Sequence, residues 1–227
     1  MIIPLFLMQG LLALLGSLFL SFYFVPFFRA VAIRFNILDA PDGKIKLHKK
    51  PTPYLGGLAV YCGLLCGLVI SFPVTGNILL FLIGVTLLLF LGLVDDLTPL
   101  EPYQKFGGQL LVTFCFLRSG IYLKEHFFYN SWNMVLSAFW ILTIVNGFNL
   151  IDVMDGLATT TAIGATTTFI IMSLMFHQYD IMILLCAFLG SLLAFLSYNR
   201  PPATIYLGEA GSLFIGGFLA TVLFFLK

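Results

Sequence analysis

Residues 145–161 read VNGFNLIDVMDGLATTT, and here Asn146, Asn149, Asp152 and Asp155 recur at every third position inside otherwise apolar sequence. Amide and carboxylate oxygens are hard donors, suited to a divalent cation and to proton transfer on a phosphate-bearing substrate. Three residues turn a helix by about 300°, so each side chain lags its predecessor by about 60°. Asn149 and Asp152 stay neighbours, whereas Asn146 and Asp155 fall on opposite faces of a straight helix. The four line one site only if the helix breaks or tightens, and Gly147 and Gly156 offer places to do so. A helix cap accounts for one such residue, not four.

Three further segments interrupt the apolar pattern. In LGLVDDLTPLEPYQK (91–105), Asp95 and Asp96 stand side by side where an apolar run ends. Adjacent carboxylates repel, so this is either a solvated helix end or a paired-acid site holding Mg2+ through substrate phosphates or poising a base. In NRPPATIYLGEAGSLFIGG (199–217), Glu209 stands between Gly208 and Gly211, glycines that allow close backbone approach to a ligand. A helix expected to begin near Ser212 would aim its N–H groups at an anion, unless Ser212 is simply its N-cap. In LDAPDGKIKLHKKPTPYLGG (38–57), Lys46, His48 and Lys49 supply donors and Gly56–Gly57 permit close approach. This segment reads either as a phosphate clamp or as a basic loop on the positive side of a membrane.

The elements that must position these groups are membrane helices. Apolar residues make up 60% of the 227-residue chain and charged ones 9%, and the mean hydropathy is +1.06. A soluble domain carries about 25% charged residues. The long apolar runs lack period-two alternation, so the expected fold is an all-α polytopic membrane protein forming a single integral membrane domain, 1–227. About eight spans are expected, near Ile3–Phe28, Leu55–Phe72, Ile78–Val94, Gly107–Leu123, Trp132–Val145, Ala158–Phe176, Ile181–Tyr198 and Leu213–Leu226. The fifth is short, and either ends at Val145 or continues into the opening motif. Met1–Phe28 lacks the basic start of a cleavable signal and reads as a first span.

Alternating loops place Arg29, Arg34, Lys44, Lys46, Lys49, Lys50, Lys105 and Arg200 on one side and Arg118, Lys124 and Lys227 on the other, accounting for all 11 basic residues. The richer side is expected to be cytoplasmic and the N-terminus outside. Every acid except Glu125 and Asp180 shares the cytoplasmic side. The orientation rule takes little from acids, so their clustering points to a site. Cys62, Cys66, Cys115 and Cys186 lie in apolar runs and read as buried thiols, not disulfides or metal ligands. A net charge of +1 gives no reason to expect a nucleic-acid partner.

Taken together, the motifs resemble the polyprenyl-phosphate N-acetylhexosamine-1-phosphate transferases, the WecA, TagO and MraY family (glycosyltransferase family 4). The resemblance rests on the paired aspartates of LGLVDDLTPL, on NGFNLIDVMDGL and on PPATIYLGEAGSLFIGG, and it runs from about Asp39 to the last residue. The K-x-H and P-x-x-GG of the basic loop look more like the WecA and TagO branch. The resemblance implies transfer of a sugar-1-phosphate, by default N-acetylglucosamine-1-phosphate, from a UDP-sugar to undecaprenyl phosphate with release of UMP. That reaction starts a cell-envelope polysaccharide at the bacterial inner membrane. It implies Mg2+, with Mn2+ as a substitute, at Asn149 and Glu209. Asp95 and Asp96 match the acidic pair that deprotonates or positions the lipid phosphate. Asp152 and Asp155 match positions needed for nucleotide-sugar binding or catalysis, and Lys46 and His48 match a motif lysine and histidine. Asn146, Gly156, Gly208 and Ser212 are assigned to substrate contact.

Two departures stand against the family pattern. Its GDxGS aspartate is Glu209 here, one methylene longer, and the His-rich H-x-H-H loop that normally follows is matched by none of His48, His126 and His177. The expected readings are a shortened enzyme, a fragment, or a subunit that completes its site as a homodimer. The competing classes are an inactive lipid- or partner-binding scaffold and a transporter, whose polar sites would sit near the bilayer midplane.

Overall fold

The computed structural model describes residues 2–39, 51–71, 76–124 and 129–226. Lys46, His48 and Lys49 lie outside the described residues. Eight helices follow one another: α1 (Ile2–Arg34), α2 (Gly56–Ser71), α3 (Gly76–Leu97), α4 (Pro102–Arg118), α5 (Asn130–Ile151), α6 (Leu157–Met175), α7 (Tyr179–Asn199) and α8 (Gly208–Val222). Two short strands, β1 (Leu38–Asp39) and β2 (Thr52–Pro53), pair antiparallel with Leu38 opposite Pro53.

The protein is a helical, multi-pass membrane protein. Each expected apolar segment is a helix, and among the described residues six helices are long and apolar enough to cross a bilayer. α2 has 16 residues and α4 has 17. The expected boundaries differ most at one end of the bundle. There α3 runs to Leu97 rather than Val94, α5 to Ile151 rather than Val145, and α4 and α8 begin at Pro102 and Gly208 rather than Gly107 and Leu213. Polar residues end an apolar run without ending the backbone hydrogen bonding of a helix.

α7 and α8 form the interior. In α8, 72% of the span is buried, against 22% in α1 and in α5. α8 packs against α2, α3, α5 and α6, and α7 packs against α1, α2 and α6. Phe188 stacks on Phe218 at 3.9 Å between centroids, and Phe81 meets Phe218 edge-on at 5.0 Å. Such aromatic pairs contribute about 0.5–1.5 kcal/mol beyond burial. The outer faces carry exposed Phe19, Val69, Phe139 and Ile171, the apolar surface a lipid-facing bundle requires. All four cysteines are free.

Lipid is as apolar as leucine, so helices in a membrane associate through close packing of small residues rather than by hydrophobic expulsion. The seam of α1, α2 and α7 is built this way. A Cβ added at Gly63 would strike the Ser21 side chain, one at Gly67 would strike Ser17, and one at Gly190 would strike the Leu14 carbonyl. By contrast, a Cβ at Gly164 on α6 would meet nothing within 4 Å. Gly190→Ala should therefore destabilise the protein by about 1–3 kcal/mol through overpacking. Gly164→Ala should be neutral or gain up to ~1 kcal/mol from helix propensity. Thermal unfolding in detergent checks the pair, and equal melting temperatures would refute the seam.

Candidate active site at one end of the bundle

The site is assembled on the first turn of α8. Gly56 and Gly57 donate backbone N–H bonds to the Tyr206 and Leu207 carbonyls at 3.0 and 2.9 Å, and Tyr206 N–H returns one to Pro53 at 2.8 Å. A Cβ at Gly57 would collide with Gly211, and one at Gly92 would collide with the Glu209 carbonyl and Ala210. The close approach expected of Gly56–Gly57 is thus to the protein's own α8, and their N–H groups are already used. Gly208 takes the left-handed conformation, φ +78°, and a Cβ there would lie 2.8 Å from Asp96 Oδ2.

This closeness brings the acidic end of α3 onto α8. Asp96 accepts from Glu209 N–H at 2.9 Å through Oδ1 and from Ala210 N–H at 3.0 Å through Oδ2. An anion does sit at the N-terminus of α8, and it is the protein's own carboxylate, where exposed N–H groups and the helix dipole favour negative charge. Tyr54 O–H donates to the Asp96 carbonyl at 3.0 Å. Ser212 is neither the start nor the cap of α8, which begins four residues earlier at Gly208. Its hydroxyl donates to the Glu209 carbonyl at 3.2 Å and accepts from Asn149 Nδ2 at 3.1 Å.

Lys105 occupies the centre. Sequence reasoning left it as a loop charge, but it lies in the first turn of α4. The overlooked signal is Glu101-Pro102-x-Gln104: proline at the first helical position, and Gln104 Oε1 accepting from Glu101 N–H at 3.0 Å. Lys105 Nζ lies 2.5 Å from Glu209 Oε2 and 3.0 Å from Asp95 Oδ2. It also donates to Asn149 Oδ1 at 3.4 Å. Asn149 Nδ2 donates to the same Glu209 oxygen. Burial works against the Lys105 ammonium, but hydrogen bonds and charge from Glu209 and Asp95 outweigh it and hold its pKa above the usual lysine value. Asp95 Oδ1 also accepts from Leu100 N–H at 2.8 Å.

The opening motif divides at the end of α5. The helix does break, at Asp152 rather than at Gly147, and Gly156 makes the turn with φ +75°. Asn146 and Asn149 both face inward from α5, with Asn146 Nδ2 donating to Gln109 Oε1 of α4 at 2.8 Å. Asp155 accepts from Ala203 N–H at 2.8 Å. Asn199, seen in the sequence only as a helix end, is buried; its Oδ1 accepts from Gly156 N–H and Thr159 O–H, and its Nδ2 donates to the Ile205 carbonyl. Nothing in the spacing of Gln109 or Asn199 marks them as site residues.

Asp152 differs from Asp95, Asp96, Asp155 and Glu209 because none of the hydrogen bonds or ion pairs among the described residues engages it. Burial, then the charges of Glu209 and Asp96, push its carboxyl well above the usual carboxylate range.

The donor set fits a hard divalent cation. Oxygens of Asp95, Asn149 and Glu209 converge on one ammonium, and Mg2+ is held by one or two carboxylates completed by water and substrate phosphate. Among the described residues, no three acids, histidines or cysteines form a cluster able to hold a metal by themselves. An amide and a phosphate must complete any such site.

The description "Glycosyl transferase family 4" matches residues 78–227. The chain is 32% identical, over 90% of its length, to a "Probable undecaprenyl-phosphate N-acetylglucosaminyl 1-phosphate transferase" of Bacillus subtilis (strain 168). It spans 59% of that relative's length. It is 30% identical over 96% of its length to a phospho-N-acetylmuramoyl-pentapeptide-transferase of Bacillus cytotoxicus, of which it covers 76%. A phospho-N-acetylmuramoyl-pentapeptide-transferase of Streptococcus suis is 30% identical over 95% of the chain and is covered to 71%. The chain belongs to glycosyl transferase family 4.

The raised Asp152 pKa fixes the sign of a stability effect. The unfolded carboxyl loses its proton near about pH 3.9, the folded one at higher pH. Folded protein therefore binds more protons in that window, and stability falls as pH rises through it. Asp152→Asn should raise the melting temperature of metal-free protein at pH 8, by about 2–4 °C per kcal/mol recovered. The gain should vanish below about pH 4. A melting difference that does not change with pH would contradict the placement of this charge.

Proposed function

We propose that the chain transfers a sugar-1-phosphate from a UDP-sugar to undecaprenyl phosphate at the cytoplasmic face of the bacterial inner membrane. An oxygen of the lipid phosphate attacks the sugar-bearing phosphorus, the bond to the UMP oxygen breaks, and UMP leaves. The observation that carries the reading is the convergence of Asp95, Lys105, Asn149 and Glu209 at one end of an apolar bundle. A polyprenyl chain needs lipid and a nucleotide needs water, and the end of a membrane bundle offers both. N-acetylglucosamine is the proposed sugar, supported by the Bacillus subtilis relative's name and identity. The cytoplasmic orientation rests on the eight basic residues assigned to that side by their loops.

Asp95, Asn149 and Glu209 would hold Mg2+, or Mn2+ in its place. When bound, that ion neutralises charge on the pyrophosphate oxygens and on departing UMP. The chain's own residues do the rest. Asp96 fixes the first turn of α8, and with it the orientation of Glu209. Asn149 steers the Glu209 carboxylate and ties it to Ser212. Asp155 and Asn199 pin the turn after α5 against residues 203–205 and so set where Asp152 points. Asp152 is the carboxylate best suited to exchange a proton with the lipid phosphate, since no hydrogen bond among the described residues holds it and its affinity for a proton is raised.

Membranes containing the chain should form lipid-linked product from labelled UDP-N-acetylglucosamine with Mg2+ and none with EDTA. Asp152→Asn should lower kcat by about 10²–10⁴-fold in protein that melts no lower than the parent. Asp96→Asn should lose both transfer and stability, since an amide nitrogen cannot accept an α8 N–H. Product from UDP-N-acetylmuramoyl-pentapeptide alone would overturn the sugar and keep the class. No product from either donor with folded protein would overturn the reading.

A further inference from the structure

Lys105 meets the same oxygens that the proposed function gives to the metal. Its ammonium has three protons and three acceptors, one from each of three helices: Asp95 on α3, Asn149 on α5 and Glu209 on α8. The shortest of these contacts is to Glu209. A cation that merely tied α4 to α3 would need only Asp95. Instead the ammonium lies where hard oxygens from all three helices converge, and its side chain is only 16% exposed.

A divalent cation and this ammonium cannot share those oxygens. Magnesium takes oxygen lone pairs at about 2.0–2.1 Å, and each lone pair it takes is lost to a lysine proton. Two positive centres on one donor set also repel. We propose that Lys105 is the resident counter-cation of the metal site: it holds Asp95, Asn149 and Glu209 together in the metal-free protein, and a divalent ion enters by displacing it. This inference rests on the metal reading given under the proposed function. The structure allows the exchange. Lysine has a long, flexible stem, Lys105 stands in the first turn of α4, and the neighbouring Gly107 has open space around it. Asn149 Nδ2 would keep Glu209 oriented through the change, because that bond does not pass through Lys105. The affinity for metal is then set by a competition between two cations, and the carboxylates are never left facing one another.

The test uses the full chain in lipid nanodiscs. Lysines are acylated with isotope-coded acetic anhydride across a Mn2+ titration, while free Mn2+ is followed by electron paramagnetic resonance. Lys124, exposed and beyond the far end of α4, is the internal reference. Acylation of Lys105 should be at least tenfold slower than that of Lys124 in EDTA and should rise about tenfold as Mn2+ binds, with Lys124 unchanged. Lys105→Met should bind Mn2+ at least tenfold more tightly than the parent. Mn2+ binding that leaves Lys105 as protected as in EDTA would overturn the exchange and keep the metal site. Unchanged or weaker Mn2+ binding by Lys105→Met would do the same. No Mn2+ binding by either protein would overturn both.

Discussion

Carboxylates crowded at one end of an apolar bundle repel one another, and each loses hydration that a low-dielectric surrounding cannot replace. Asp95, Asp96 and Glu209 stay together because positive charge is supplied from two sources: the Lys105 ammonium and the first N–H groups of α8. These sources divide the acids between them. Asp96 takes the helix end, Asp95 takes the lysine, and Glu209 takes the lysine with its side chain while giving its backbone N–H to Asp96. Asp152 receives neither. Burial, with the charges of Glu209 and Asp96 beside it, raises its pKa well above the usual carboxylate range.

The helix N-terminus can serve Asp96 only if the α3 and α8 backbones nearly touch, so the electrostatics of the site depend on glycine. Gly57, Gly92 and Gly211 remove the side chains that would separate α2, α3 and α8, and Gly208 supplies the left-handed turn that starts α8. The same device joins α1, α2 and α7 through Gly63, Gly67 and Gly190. One packing rule, small residues at crossings where lipid gives no hydrophobic drive, thus builds both the bundle and its polar end. Placing the donors on helix ends rather than loops also fixes them more closely than a loop could.

Much of this was legible in the sequence. The eight helical segments follow from apolar runs, and the polar motifs were correctly seen as interruptions of those runs. Helix ends at the site were not legible, because hydropathy measures where lipid contact stops and not where backbone hydrogen bonding stops. Leu97, Pro102, Ile151 and Gly208 are therefore the true boundaries where Val94, Gly107, Val145 and Leu213 were expected. Hydropathy alone leaves Lys105 in a loop, whereas it stands in the first turn of α4. Hydropathy also made Ser212 a helix start when it is a second-turn residue. Gln109 and Asn199 were hidden for another reason: each has a side-chain partner far off in sequence, Asn146 for Gln109 at 37 residues and Thr159 for Asn199 at 40, so its own neighbours carry no trace of that partner.

The glutamate at position 209, where the resembled pattern has aspartate, becomes intelligible from its bonds. Its backbone is fixed on α8 by Asp96, and its carbonyl accepts from Ser212. The main chain therefore cannot slide to bring a shorter acid forward without losing those contacts. From this fixed base the side chain reaches across to Lys105 on α4 and Asn149 on α5. The additional methylene is taken up by the span between three helices, with both partners meeting Oε2 of the glutamate. Partners from two other helices hold the glutamate head, so the greater freedom of its longer stem does not loosen the donor set. The residue that departs from the pattern is thereby tied to α4 and α5 through its side chain and to α3 through its backbone.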